Sequence, residues 1–133
     1  MSRRSAARWI LALFYALAGA LHLILPAPFL SIMPPAVPAP GLVVALTGLA
    51  ELLGAAGLVQ ARSPALRRAA GWGLAFYALC VWPANVQHLL IDLARPDGGL
   101  PLAYHIPRLA AQPLLIWLAL WASGATDRAR RGR

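Results

Sequence analysis

Four long apolar runs limit what this chain of 133 residues can fold into. They cover residues 9–25, 42–59, 69–91 and 106–122. Each run has about 17 to 23 residues, roughly 26 to 35 Å as a helix, and so matches a hydrocarbon core about 30 Å thick. Helices of a soluble bundle carry a polar residue at every third or fourth position, but the first run has only Tyr15 and His22. The pattern predicts an all-α fold, an integral membrane four-helix bundle.

The distribution of arginine predicts how the bundle is oriented. All 12 basic residues are arginine, and only 12% of the chain is charged, against about 25% in a soluble domain. Most of the arginines lie in the N-terminus, the second connection and the C-terminus, which share one side after four crossings. By the positive-inside rule that side is the cytoplasm. We expect a multi-pass protein of the bacterial inner membrane with both termini cytoplasmic, whose net charge of +8 reflects topology and lipid contact, not nucleic-acid binding.

The domain organisation follows from the runs and their connections. A single transmembrane domain is expected over residues 1–133, with helices at about 9–25, 42–59, 66–91 and 106–122 and a basic cytoplasmic tail at 124–133. Ser63 and Pro64 are the expected N-cap and first turn of the third helix, and Pro83 is expected to kink it.

The first connection, "PAPFLSIMPPAVPAP" (26–40), combines prolines with apolar residues. Six prolines in this stretch exclude a regular helix throughout, because proline lacks the backbone donor. Phe29, Leu30, Ile32 and Met33 are nevertheless too apolar for an ordinary solvated loop. We expect a short interfacial segment in this outer loop.

Polar side chains from all four runs fall at compatible depths. Depths are counted at 1.5 Å per residue from the outer end of each run. His22 and His88 lie roughly 5 Å down, Asn85 and Gln112 roughly 9 Å, and Glu51 roughly 14 Å. Arg108 starts near the outer end and has a side chain long enough to reach inward. Such residues are costly in hydrocarbon unless they face protein or water. The sequence therefore predicts a polar cavity in the outer leaflet, formed by His22, Glu51, Asn85, His88, Arg108 and Gln112.

Glu51 is the one candidate catalytic residue, and its role has alternatives. On its helix it shares a face with Gly48, Gly54, Ala55 and Leu58, so it is expected to point into the bundle. There it either forms an ion pair with Arg108 or is protonated and hydrogen-bonded to His22 or Asn85. A structural contact and a proton carrier are both consistent with this position.

The histidines are weighed against simpler roles as well. His22 and His88 also suit interfacial positions near the outer face, and Tyr104 and His105 suit an aromatic belt. No close-spaced ligand motif is present, so no metal site is predicted. The single cysteine, Cys80, excludes an internal disulfide or a CxxC redox pair.

Five segments resemble the DoxX-like family of small four-helix bacterial membrane proteins. They are "AGALHL" (18–23), "MPPAVPAP" (33–40), "TGLAELLGAAGL" (47–58), "VWPANVQ" (81–87) and "RLAAQPLLIWLALW" (108–121). The resemblance covers residues 9 to 122 and implies a fold and a location more than a reaction. The positions it carries over are His22, Glu51, Pro83, Asn85, Arg108 and Gln112.

Two functions are compatible with these features. The first is an accessory membrane subunit that binds lipid, a small amphipathic ligand, and a membrane or periplasmic protein partner. The second, which the resemblance suggests, is a quinone-linked membrane oxidoreductase subunit in which Glu51 accepts a proton. A quinone is the one cofactor considered, and the two interpretations stand side by side.

Overall fold

The computed structural model describes residues 1–127 of the chain and is all-helical there, which confirms the all-α prediction. Its helices are α1 (Arg3–Ile24), α2 (Ala27–Ser31), α3 (Pro40–Val59), α4 (Pro64–Ala94) and α5 (Leu102–Ser123). The sequence predicts four helices, whereas the described part has five. The additional one is the five-residue α2, and it lies in the first connection, where a short interfacial segment is expected.

The long helices extend beyond the apolar runs because capping groups lie outside them. Ser2 Oγ accepts a hydrogen bond from the backbone N–H of Ser5 at 3.1 Å, so α1 begins in the basic N-terminus. Ser63 Oγ accepts from Leu66 N at 3.2 Å, which confirms Ser63 as the N-cap of α4. The helix α4 continues through Pro83 to Ala94, three residues past its predicted end.

Three helices, α1, α3 and α4, are long and apolar enough to cross a membrane. Their outward faces carry large exposed apolar side chains such as Leu13, Leu53 and Phe76. Extended apolar surface of this kind is typical of contact with lipid or another protein. The structure therefore supports a membrane protein with three candidate spanning helices. The fourth long helix, α5, falls outside this group although it has 22 residues.

The helices α1 and α3 approach each other through two glycines. A Cβ atom at Gly19 would lie 2.7 Å from the carbonyl oxygen of Gly48, too close for any side chain. A Cβ atom at Gly48 would lie 2.9 Å from Cβ of His22. Next to this contact, a buried core joins α1, α3, α4 and α5, and its members include Leu11, Tyr15, Ala55, Leu58, Leu74 and Ala119.

One end of the bundle gathers the start of α1, the start of α4 and the end of α5. Arg4 forms an ion pair with Asp127 at 2.7 Å, and Ser123 packs against Gly71 of α4. The hydrogen bonds from the Arg4 guanidinium hold the pKa of the Asp127 carboxyl below its usual range. Of the predicted tail, 124–133, only Gly124–Asp127 is described, and residues 128–133 lie outside the described part.

Replacement of Gly19 by Ala should lower the free energy of unfolding by about 1 to 3 kcal/mol, because the added methyl group meets the backbone of α3. Gly73→Ala is the matched control, since nothing lies within 4 Å of a Cβ atom built there. Its higher helix propensity should leave stability unchanged or raise it by up to about 1 kcal/mol. Thermal unfolding in detergent, followed by circular dichroism, measures both, and equal Tm values would contradict the close contact.

Candidate functional site

A cavity of about 660 Å³ lies between the four long helices. Its cover is formed by α2 and the proline-rich segment after it, through Phe29, Ile32, Met33, Pro34 and Val37. Most of its wall is apolar, and the polar residues in the wall are Tyr15, His22, Thr47, Glu51, Tyr77, Asn85, Arg108 and Gln112. A mostly apolar wall with a few convergent polar groups is typical of a small-molecule site.

The structure brings the predicted polar residues together. Five of the six line this cavity: His22, Glu51, Asn85, Arg108 and Gln112. The sixth, His88, lies outside the wall but contacts Arg108. Pro83 also lines the cavity, as part of the continuous helix α4.

Glu51 is buried and makes its contacts with two residues of the cavity wall. Tyr77 Oη donates a hydrogen bond to Glu51 Oε1 at 2.7 Å. His22 Nδ1 lies 2.9 Å from Glu51 Oε2 and 2.8 Å from the carbonyl oxygen of Ala18. A carbonyl only accepts, so Nδ1 carries a hydrogen that is directed to Ala18. The short contact to Oε2 therefore leaves that oxygen without a well-directed donor.

Arg108 is held by a separate group of side chains on α4. Its Nη2 donates to Asn85 Oδ1 at 2.6 Å, and its Nη1 donates to His88 Nδ1 at 2.7 Å. The guanidinium also lies over the ring of Tyr104, 5.1 Å from its centre. The hypothesised ion pair with Glu51 is not formed, and each terminal nitrogen of Arg108 instead donates one N–H to Asn85 or His88.

His88 connects this group to a buried pair at the point where α4 ends and α5 begins. Since Arg108 can only donate, His88 Nδ1 accepts, and the hydrogen of the neutral ring is on Nε2. That Nε2 lies 3.3 Å from Asp92 Oδ2, and His105 Nε2 lies 2.9 Å from the same oxygen. Asp92 and His105 are both buried, so their contact ties the end of α4 to the start of α5.

The same three residues could offer metal ligands, because one ligand atom from each of His88, Asp92 and His105 lies within 4.8 Å of the others. A metal at His88 Nε2 would require the ring hydrogen to move to Nδ1. There it would face the N–H of Arg108, and two donors cannot share a hydrogen bond. The donor set therefore suits a hydrogen-bond network better than a metal ion.

Three buried atoms around the cavity have no hydrogen-bond partner: Tyr15 Oη, Glu51 Oε2 and Gln112 Oε1. Their residues are 1%, 3% and 8% exposed, so solvent on the protein surface does not reach them freely. A buried polar atom without a partner typically costs about 1 to 3 kcal/mol. All three belong to residues that line the same cavity, so a molecule that occupies it, water included, would satisfy them.

Sequence reasoning missed three residues of these networks. Tyr77 shares the Asn85 face of α4, but nothing in the pattern pairs it with Glu51. Asp92 lies one residue past the predicted end of the third helix at 91, and the sequence assigns His105 to an aromatic belt. The available signal was the spacing of four residues between His88 and Asp92, which places them on one helix face once α4 is extended to Ala94.

Over the described residues, the fold and the cavity define a helical protein with three membrane-length helices and a mostly apolar pocket that carries a few polar groups. The chain belongs to a family described as a domain of unknown function (DUF8561), whose model matches residues 11–123. No curated protein and no solved structure matches it. This family membership does not test the resemblance to the DoxX-like family, which stays a prediction.

Two tyrosine variants should separate the satisfied hydroxyl from the unsatisfied one. Tyr77→Phe should lower the free energy of unfolding by about 1 to 3 kcal/mol, because Glu51 then loses its donor. Tyr15→Phe removes a buried hydroxyl that has no partner and should leave the free energy of unfolding unchanged or raise it by up to about 3 kcal/mol. Thermal unfolding of lipid-depleted protein in detergent measures both. A larger loss in Tyr15→Phe would contradict the assignment.

Proposed function

We propose that the protein is an accessory membrane subunit that binds a small amphipathic ligand in its cavity. The observation that carries this proposal is the set of three unpartnered polar atoms on one mostly apolar cavity. A ligand head group would satisfy these atoms, and its apolar part would lie against the remaining wall.

In this proposal α5 is the fourth span of a four-helix membrane bundle. It has 22 residues, about 33 Å of helix, which is enough to cross the hydrocarbon core. Its His105 and Gln112 are buried, whereas Ile106, Leu114 and Trp117 are exposed. The polar residues that lower its overall hydropathy thus face the protein, and an apolar surface faces outward.

The proposed location is the bacterial inner membrane with both termini in the cytoplasm. The Arg4–Asp127 ion pair and the contact of Ser123 with Gly71 support this, because they gather the basic segments at one end. The cavity then opens in the outer half of the bilayer. The apolar outer faces are left for lipid and for a membrane or periplasmic protein partner.

A quinone-linked oxidoreductase subunit is the second candidate. It is favoured by the aromatic rings around Glu51, which include Phe14, Tyr15 and Tyr77. Here a hydroquinone would lose two protons and two electrons as it becomes a quinone: one hydroxyl proton would pass to Glu51, the other to the ring of His22, and the electrons to a partner subunit. This function would add proton transfer to the binding that the first candidate requires.

Solvent extraction of protein purified in mild detergent, followed by mass spectrometry, tests the binding proposal. We expect an amphipathic molecule at a molar ratio near one in the wild type. The ratio should fall several-fold in a Gln112→Leu variant, which removes an amide from the cavity wall, but not in Leu114→Ala, which changes the outward face. A quinone in the extract would favour the second candidate, and an extract equal to that of an unrelated membrane protein would contradict both.

Single-cysteine labelling tests the four crossings. In a Cys80→Ser background, a membrane-impermeant maleimide should label Ser31→Cys and Leu100→Cys in intact spheroplasts. Ser63→Cys and Thr126→Cys should be labelled only after permeabilisation, because they lie at the cytoplasmic end. Labelling of Leu100→Cys and Thr126→Cys from the same side would show that α5 does not cross.

A further inference from the structure

The positive charge of Arg108 has no carboxylate partner among the described residues. The chain has 4 acidic side chains, and each is engaged elsewhere. Glu51 Oε1 accepts from Tyr77, Asp92 contacts His105 and His88, Asp97 pairs with Arg95, and Asp127 pairs with Arg4. Arg108 is bound only by the neutral groups of Asn85 and His88.

This guanidinium is half-buried and lines the cavity. Arginine stays protonated in proteins and has five N–H donors, of which Asn85 and His88 use two. Asp92 does not contact it, since the ring of His88 lies between them. A charge removed from water without a counter-ion is unfavourable, so an anionic group in the cavity would stabilise Arg108.

The oxygens of Glu51 and Gln112 that have no hydrogen-bond partner require a donor, whereas Arg108 requires an anion. Both atoms are hydrogen-bond acceptors, and both residues are more than nine-tenths buried in the same cavity wall. A ligand that only accepts hydrogen bonds, such as an ester or a ketone, leaves them unsatisfied. They require a group that donates, and a carboxylate favours a donor with positive charge.

We propose that the ligand is a phospholipid whose head group has two different ends. Its phosphate pairs with Arg108, and a donor at the end of the head group, an ammonium or a hydroxyl, reaches Glu51. Ethanolamine and glycerol phospholipids share this chemistry, whereas a choline head has three methyl groups in place of its donors. The inference rests on the proposed binding function and names its ligand class. A hydroquinone would satisfy Glu51 but supply no anion for Arg108.

Binding of single-chain lipids to the full-length wild-type protein, measured by native mass spectrometry in detergent, tests this. Lysophosphatidylethanolamine should bind about tenfold or more tightly than lysophosphatidylcholine of the same chain length, because only the former donates to Glu51. It should also bind about tenfold more tightly than the matching monoacylglycerol, which has donors but no phosphate.

The outcomes separate this inference from the binding function on which it rests. Equal binding of the ethanolamine and choline lipids would overturn the two-ended head group while leaving a binding cavity. Binding of none of the three would overturn the cavity function as well. Lysophosphatidylglycerol distinguishes the two donor sources: affinity above that of the choline lipid shows that a hydroxyl suffices, and affinity equal to it assigns the ammonium.

Variants assign each end of the head group to its residue. Glu51→Gln should bring the ethanolamine-to-choline affinity ratio close to one without weakening choline binding. Arg108→Gln should weaken both lipids by a similar factor, since they share the phosphate. Leu114→Ala is the control, because this side chain lies on the outward face and its loss should leave the ratio unchanged. If Glu51→Gln left the ethanolamine-to-choline affinity ratio unchanged, the assignment of the donor end to Glu51 would be overturned. If a variant does not fold, the lipid series on the wild-type protein tests the proposal alone.

Discussion

The rest of the site depends on the backbone contact between α1 and α3 at Gly19 and Gly48. A Cβ atom at Gly19 would lie 3.1 Å from Cβ of Glu51, so the same contact sets the distance between Glu51 and α1. It brings His22 to within 2.9 Å of the Glu51 carboxylate. The ring of His22 stacks on Phe29 at 3.7 Å, so the position of α2 over the cavity also follows from it. If α1 and α3 were pushed apart by the width of one methyl group, the Glu51 carboxylate, the His22 ring and the cover of the cavity would all be displaced.

Glu51 and Arg108 remain separate in the cavity, and this separation is an argument for binding. Glu51 is held by Tyr77 and His22, and Arg108 by Asn85 and His88. A direct pair between Glu51 and Arg108 would neutralise both and use their hydrogen-bonding capacity within the protein. A bundle that needed only cohesion would be stabilised at least as well by that pair, or by apolar residues in its place.

Periodicity predicts the faces of the helices well and the partners of their side chains poorly. Gly48, Glu51, Gly54, Ala55 and Leu58 are all buried, as their spacing on α3 indicates, because inward faces depend only on the helical repeat. The partner of Glu51 depends on the rotation of α4 and on side-chain rotamers, which the pattern does not contain. The pair of Asp92 and His105 was missed for a different reason, since it requires α4 to continue past the end of its apolar run.

The polar groups of the cavity are arranged before any ligand enters. The His22 N–H is directed to the carbonyl of Ala18, so a donor that approaches Glu51 Oε2 replaces no existing hydrogen bond. Arg108 likewise retains unused N–H groups while Asn85 and His88 fix its position. Preorganisation of this kind lowers the free-energy cost of binding, because few side chains have to be reordered. The main cost of entry then falls on the cover formed by α2 and the proline-rich segment, where Phe29 stacks on His22. Affinity and access are thus set by different parts of the chain, the former by the long helices and the latter by the first connection.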